Sequence, residues 1–575
     1  MTLTHNTLTD KRITDKPGGK PADSSTRARW LFPVFLAIAF VLQCCWFIRT
    51  QSLTFDEPVH IAEGLNAWRF GRFEQYNDHP PLARLWCTLP LLNPRWQVEI
   101  EQLPDTFRVS RIASDPEALA WRARAMNVIL GLVLMLLVWR ITRRLFSVGA
   151  ANLALGLFAF SPSLIAHFSI AGTDAAAVLL IFAGACSVIW WRRNPNWKRS
   201  LLFGLILGLM LLAKFSTAPM FFVALVWILI LTPAGVKLDP RAWSYWSALA
   251  ITLVAFMTVW AGFFFHVSHL TIRQGTLTAT FPNWTQPIVK AVPNRNDLSL
   301  YIPAGEYIEG FRELVRHNRR GQPAYLLGRI SAQGGWKLYY PVVIALKWPT
   351  IVLGLSMIGF GLAIRDKPRL PEVWILTSFP AIYLAFACFA RFNIGERHVL
   401  PVYPFAIVLA ASLWQFATVS RGARSLLILL ALANAIDGLR CAPGYLSYFN
   451  IFVRPSSSYR LLTDSNLDWG QGLLYLREYQ REHPNEQIFL AYFGSVNPIS
   501  YGIHVQLLEE NERRTGTIIV SATNLSGQYL KNPSAYRWLL SRSASQILDG
   551  SLFVFDVKEV GPRDSSSIVL PAAVK

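Results

Sequence analysis

Between residues 30 and 440 the chain repeats apolar runs of nearly bilayer length, and that recurrence leaves few folds open. Roughly 20 apolar helical residues cross a hydrocarbon core about 30 Å thick while pairing every backbone N–H and C=O internally. Runs at 30–48, 123–141, 148–166, 175–191, 244–265, 342–364, 372–390, 397–417 and 424–440 are read as crossings. The stretch 200–231 is too long for one crossing and is interrupted at Lys214-Phe215-Ser216-Thr217. Hydrophobic residues are 53% of the 575 and charged residues only 16%, which argues against a string of soluble domains.

Loop charge fixes the register. Lysine and arginine number 55 against 35 acids, a net charge of +20. If the N-terminus is cytoplasmic, the loops carrying Arg140, Arg143 and Arg144, then Arg192, Arg193, Lys198 and Arg199, then Lys237 and Arg241, then Arg365, Lys367 and Arg369, then Arg421 and Arg424 all lie inside. This holds only if 200–231 crosses twice, as two short helices meeting near Lys214. The expectation is an all-α membrane protein of eleven spans. Loops 49–121 and 266–341 and the tail 442–575 then lie outside, together with every histidine except His5. The charge excess is thereby used on the cytoplasmic face, and no nucleic-acid partner is implied.

Residues 1–29 read as a disordered basic tail, and the first apolar run as an uncleaved anchor. The tail from 442 reads as a small α/β domain: helical at Trp469 to Glu482 and Ala535 to Leu540, β-rich at Gln487 to Phe493, Thr517 to Val520 and Leu552 to Val557. No further module is recognisable in 266–341. Six cysteines show neither a disulfide framework nor a zinc knuckle.

The candidate chemistry gathers on the outer side. Asp56 and Glu57 follow the first span directly, and Asp78-His79-Pro80-Pro81-Leu82 follows in the same loop. Each carboxylate alone is ordinary for an exposed loop; the joint pattern is not. Asp174 heads the fourth span before three alanines, a position that suits a helix cap as well as a catalytic helper. Cations at the outer boundary are Arg122, Arg124, Lys214, Lys347, Arg391 and Arg397. Lys214 and Lys347 fall inside apolar runs, where an ionisable group is costly and usually faces a cavity. His60, His79, His167, His266, His269 and His398 with the acids raise a divalent metal as an open question. Asp437 and Arg440 read as a local helix pair.

The Phe55-Asp56-Glu57 and Asp78 to Leu82 elements resemble the membrane glycosyltransferases that use polyprenyl-phosphate sugars, the group of the protein O-mannosyltransferases and the aminoarabinose transferase of lipid A. Weaker echoes continue in Ser161 to His167, Gly208 to Ser216, Gly334 to Tyr340, Lys347-Trp348-Pro349, Glu396 to Pro401 and Asp464 to Gln471. The resemblance implies a GT-C fold in the bacterial plasma membrane. It also implies inverting transfer of a sugar from a polyprenyl-phosphate donor to a protein, lipid or glycan acceptor at the outer face. Asp56 then matches the base, with Glu57 as second choice. Asp174 is a further acid, and Asp78 and His79 are substrate contacts. Arg122, Arg124, Lys214, Lys347, Arg397 and His398 are candidates to hold the phosphate. A transporter or lipid flippase, which also needs many spans, is the alternative; a non-catalytic scaffold is a third.

Overall fold

The computed structural model describes residues 24–73, 79–102, 108–230, 240–284, 286–293, 296–365, 369–417 and 420–559. The basic tail lies outside the described residues up to position 23, and helix α1 (Ser24–Thr50) already begins within the stretch expected to be tail. Every expected crossing is helical. After α1 come α2 (Glu57–Phe70) and α3 (Leu82–Thr88) in the first loop, then a hairpin of β1 (Val98–Gln102) and β2 (Arg108–Ile112). The membrane helices resume with α4 (Pro116–Leu145), α5 (Val148–Ala159), α6 (Pro162–Phe168), α7 (Asp174–Arg193), α8 (Trp197–Ala213), α9 (Ala218–Ile230) and α10 (Pro240–Gly262). Among the described residues six helices are long and apolar enough to cross alone, and two bent pairs raise this to eight. The remaining expected crossings are the shorter helices α8, α9 and α15.

Both bends correct the expectation of straight spans, and proline causes both. The run 148–166 breaks at Ser161-Pro162, where α5 and α6 meet at 66°. The run 342–364 breaks at Trp348-Pro349, turning 115° between α12 (Tyr339–Lys347) and α13 (Thr350–Ala363). The residue before a proline is driven out of helical geometry, and Ser161 and Trp348 are extended at ψ 114° and 143°. Lys214 is also extended where the 200–231 run breaks, and Pro219, the second residue of α9, has no N–H to carry the helix back to the Phe215 carbonyl. The Thr217 hydroxyl there takes up the carbonyls of Met210 and Lys214 at 2.6 and 2.7 Å. Gly204 and Gly208, four apart, let α8 lie against α10: a Cβ on Gly208 would fall 2.5 Å from that of Thr258.

The loop 266–341 has more structure than its sequence suggests. Strands β3 (Val267–Arg273), β4 (Thr276–Thr280), β5 (Ile288–Ala291) and β6 (Leu298–Pro303) form an antiparallel sheet in the order β5-β4-β3-β6, followed by α11 (Gly305–Arg320) and the short pair β7 (Ala324–Leu326) and β8 (Arg329–Ser331). Helices α14 (Leu370–Phe389), α15 (Tyr403–Phe416) and α16 (Arg421–Arg440) complete the bundle. The run expected at 397–417 enters α15 through two 3-10 turns, Glu396–His398 and Leu400–Val402.

Beyond α16 come α17 (Leu473–Glu482), β9 (Ile488–Ala491), β10 (Gln506–Leu507), β11 (Gly516–Ser521), α18 (Ala522–Ser526), β12 (Gln546–Leu548) and β13 (Leu552–Val557). Their sheet runs β10-β9-β11-β13-β12, with β9 parallel to β10 and β11. The helix expected from Trp469 starts four residues later because Gly470 turns at φ +82°. The stretch Ala535 to Leu540 is a 3-10 turn at Arg537–Ser541. Apolar residues of this region, Leu473, Ile488 and Ile519, share a core with Leu53, Ile61 and Leu65 of the first loop.

Candidate active site where the helix ends meet

Alternate helix ends gather on opposite faces. Arg192 and Arg193 at the end of α7 reach Glu372 at the start of α14, at 3.3 and 3.4 Å. On the other face, the start of α7 meets the end of α8, and the end of α1 meets the turn before α15. Lys214 Nζ lies 2.6 Å from Asp174 Oδ1, and Arg397 lies 2.6 Å from Asp56 Oδ2. Asp174 is therefore not a cap. It is the first residue of α7, and its carboxylate receives Lys214 in a buried pair.

Asp56 is the more open of the two adjacent acids. Its side chain keeps 29% exposure, and Arg397 engages only Oδ2. Burial opposes its ionisation, but Arg397, then His60 and His79, outweigh this and hold it below the usual carboxylate range. The Arg397 guanidinium also lies over the Trp469 ring at 4.2 Å, and its Nε has no hydrogen-bond partner. His398 Nε2 is likewise buried without a partner. Burial, with Lys214 and Arg397 close by, drives the His398 pKa well down, so the ring is neutral. His79 lies beside His60, ring centres 5.6 Å apart, and Arg84 Nε points at His60 Nδ1 from 3.3 Å. Asp78 lies outside the described residues.

Four expected site residues are committed elsewhere. Glu57 is fully buried, and both its oxygens are taken. Arg124 donates to Oε1 and Oε2 at 2.8 and 2.7 Å, and the N–H groups of Ala171 and Thr54 complete the shell. Arg124 also donates to the carbonyls of Gln51 and Ser52 and is fully buried, so it is not available to a phosphate. Arg122 bonds the Ala118 carbonyl and stacks over Trp96. Lys347 lies at the bend of its span, ending α12, fully buried, and bonded to the carbonyls of Leu446 and Asn466 at 2.9 and 2.5 Å. Its charge faces Glu396 at 3.6 Å, which also accepts from Ser163.

The sequence reading missed three site residues. Asp464, with φ +57°, faces Arg397 and accepts from the Tyr529 hydroxyl. Trp469 supplies the floor under Arg397. Asp464 and Trp469 lie in the quoted Asp464 to Gln471 segment, a usable signal; nothing marks Tyr529. Among the described residues the histidines form no metal-ligand cluster. His266 pairs with Glu306 at 2.8 Å, His269 stacks on Tyr301, and no group of three or more candidate ligands stands together among the described residues.

Buried acids near the site set a pH dependence. Burial pushes Asp464 up to about 6, and Asp468 and Asp549 up to about 7, against hydrogen bonds that pull each down. At these three groups the folded state holds more protons than the unfolded chain between about pH 4 and 7, so their contribution to stability falls as pH rises. The depressed Asp56 is already fully ionised above pH 5 and adds no slope there. His398, held neutral, opposes the trend below about pH 6.5. The melting temperature of the purified protein should fall between pH 5 and pH 8, and Asp468→Asn should flatten that slope. A melting temperature that climbs over this range would contradict the assignment.

The helical bundle has the architecture of the GT-C membrane glycosyltransferases. The fold is shared with the S. cerevisiae protein O-mannosyltransferase Pmt1-Pmt2 complex bound to its sugar donor, at TM-score 0.52 and 12% identity over 72% of this chain and 90% of that one. More narrowly, residues 113–261 match the family model of dolichyl-phosphate-mannose-protein mannosyltransferase. Looser likenesses are to ArnT from Cupriavidus metallidurans bound to undecaprenyl phosphate (TM-score 0.44, 12% identity, 94% of this chain and 100% of that one) and to the Archaeoglobus fulgidus oligosaccharyltransferase in complex with Zn and sulfate (TM-score 0.47, 13% identity, 87% and 68%). No curated protein matches by sequence. The transporter alternative draws no support from these matches.

Proposed function

We propose that the chain is an inverting glycosyltransferase that moves a sugar from a polyprenyl-phosphate donor to an acceptor hydroxyl or amine at the outer face of the membrane. The observation that carries this is the meeting of Asp56 and Arg397. A carboxylate with one accessible oxygen and a cation with a free donor sit together where α1 leaves the bundle. A prenyl tail held in lipid would bring its phosphate to that depth. The acceptor oxygen or nitrogen would bond to the anomeric carbon while Asp56 takes its proton. The bond from that carbon to the phosphate oxygen breaks, and the electron pair leaves with the polyprenyl phosphate. Arg397 and Lys214 stand where that negative charge collects, and His398 can accept or donate one hydrogen bond while staying neutral. Lys214 would have to share its charge between Asp174 and the phosphate.

The N-terminus is proposed to be cytoplasmic and the region after α16 extracytoplasmic, from the basic loops on one face. Asp464 and Trp469 support a part for residues beyond α16 in covering the site. The test of function is mass spectrometry of envelope lipids, glycans and glycoproteins from cells with and without the chain. A mass difference of one sugar on one acceptor class is expected; identical profiles in all three would overturn the proposal.

A further inference from the structure

The face opposite the Asp56 site carries its own cluster of charge. Arg192 and Arg193 end α7, and both turn to one oxygen of Glu372, Oε1, at 3.3 and 3.4 Å. Arg199, in the first turn of α8, reaches back to the last turns of α7. Its Nη1 donates to the Trp190 carbonyl at 2.7 Å, and its guanidinium lies over the Trp190 ring at 4.6 Å. Arg144, near the end of α4, lies close enough that the charges of Arg193 and Arg199 both oppose its own. Among the described residues neither Arg144 nor Arg199 has an acidic partner, so four positive charges from three helices face the single negative charge of Glu372.

A basic loop is enough to orient a span, wherever in the loop its charges lie. That role does not call for arginines of three helices to be brought together, and like charges in one partly desolvated place repel unless an anion lies between them. The side chains of Arg192 and Arg193 are only 30% and 31% exposed. All four groups are guanidiniums, whose planar donors match phosphate oxygens in pairs. The approach to them is apolar. Ile129, Val133 and Leu136 are exposed on α4, and the same face of that helix continues, at spacings of three and four residues, to the exposed Arg140 and Arg144. A phosphate held at the cluster therefore has a lipid-facing wall running from it into the bilayer. A zwitterionic headgroup would add its own cation to the four already there; a headgroup with net negative charge would not.

We propose that the ends of α4 and α7 and the start of α8 bind the phosphate of an anionic phospholipid in the leaflet opposite the Asp56 site, with Arg144, Arg193 and Arg199 around the headgroup and an acyl chain along α4. The test uses the full purified chain in detergent, offered dioleoyl phosphatidylglycerol or dioleoyl phosphatidylcholine and read by native mass spectrometry. Phosphatidylglycerol should be retained about tenfold better. Arg144→Gln and Arg199→Gln should each cut that preference about fivefold. Lys198→Gln removes the same charge from an exposed side chain one residue away and should leave the preference as it is. Equal retention of the two lipids, or an unchanged preference in both arginine variants, overturns the proposal. So does an equal loss in all three variants, which is the mark of a diffuse positive surface and not of a site. Should the arginine variants fail to fold, the wild-type melting temperature decides. It should rise with phosphatidylglycerol and not with phosphatidylcholine or inorganic phosphate. A rise of the same size with inorganic phosphate assigns the cluster to a soluble phosphate and overturns the lipid assignment, and no rise with phosphatidylglycerol overturns the site.

Discussion

Asp56→Asn should lose about 10² to 10⁴ in transfer rate, the usual cost of removing a general base, while protein level and donor affinity change little. The substitution suits the question because the amide keeps the size of the side chain, and its oxygen can still accept from Arg397 Nη1, now 2.6 Å from Oδ2. The pair geometry survives and only the proton acceptor is lost. Arg397→Lys would do the reverse, keeping the charge and losing the planar guanidinium that lies over Trp469 and carries the free Nε. Rates are to be measured on purified protein with a polyprenyl-phosphate sugar, with donor binding followed separately. Transfer by Asp56→Asn at near wild-type rate would move the base elsewhere, and Asp174 is then the acid to examine, because Glu57 has no free oxygen.

The bundle was legible because the bilayer imposes one length on every crossing, and hydropathy records that length directly. The break at Lys214 was legible for the same reason: a charge inside an apolar run has to be housed, and here it is housed against Asp174. Prolines 162 and 349 are plain in the sequence, but a proline in an apolar run does not say whether the helix kinks or turns by 115°. The sheet in 266–341 was hidden because its strands are short and largely solvent-facing, as in Thr276 to Thr280, so the alternation of a half-buried strand is weak. Which cations are free was not legible at all. Arg124 and Lys347 look like Arg397 in one dimension. They differ because Glu57 and the backbone carbonyls of Leu446 and Asn466, distant in sequence, close around them.

The second large effect separates Glu57 from its neighbour. Glu57→Gln should destabilise the fold by about 3–5 kcal/mol, the usual result of removing one partner from a buried ion pair. Arg124 would then be left fully buried with an uncompensated charge. Replacing both by apolar residues often restores stability elsewhere, but it should not here. The pair also holds the N–H groups of Thr54 and Ala171 and the carbonyls of Gln51 and Ser52, and a Glu57→Met, Arg124→Met double variant strands all four. These groups tie the segment leaving α1 to the turn before α7, so Glu57 positions Asp56 by anchoring the backbone beside it. Melting of the two single variants and the double variant in detergent reads this out, with transfer rates measured well below each melting temperature. A Glu57→Gln protein that melts like wild type yet transfers sugar a hundredfold more slowly would make Glu57 the base and Asp56 the anchor for Arg397.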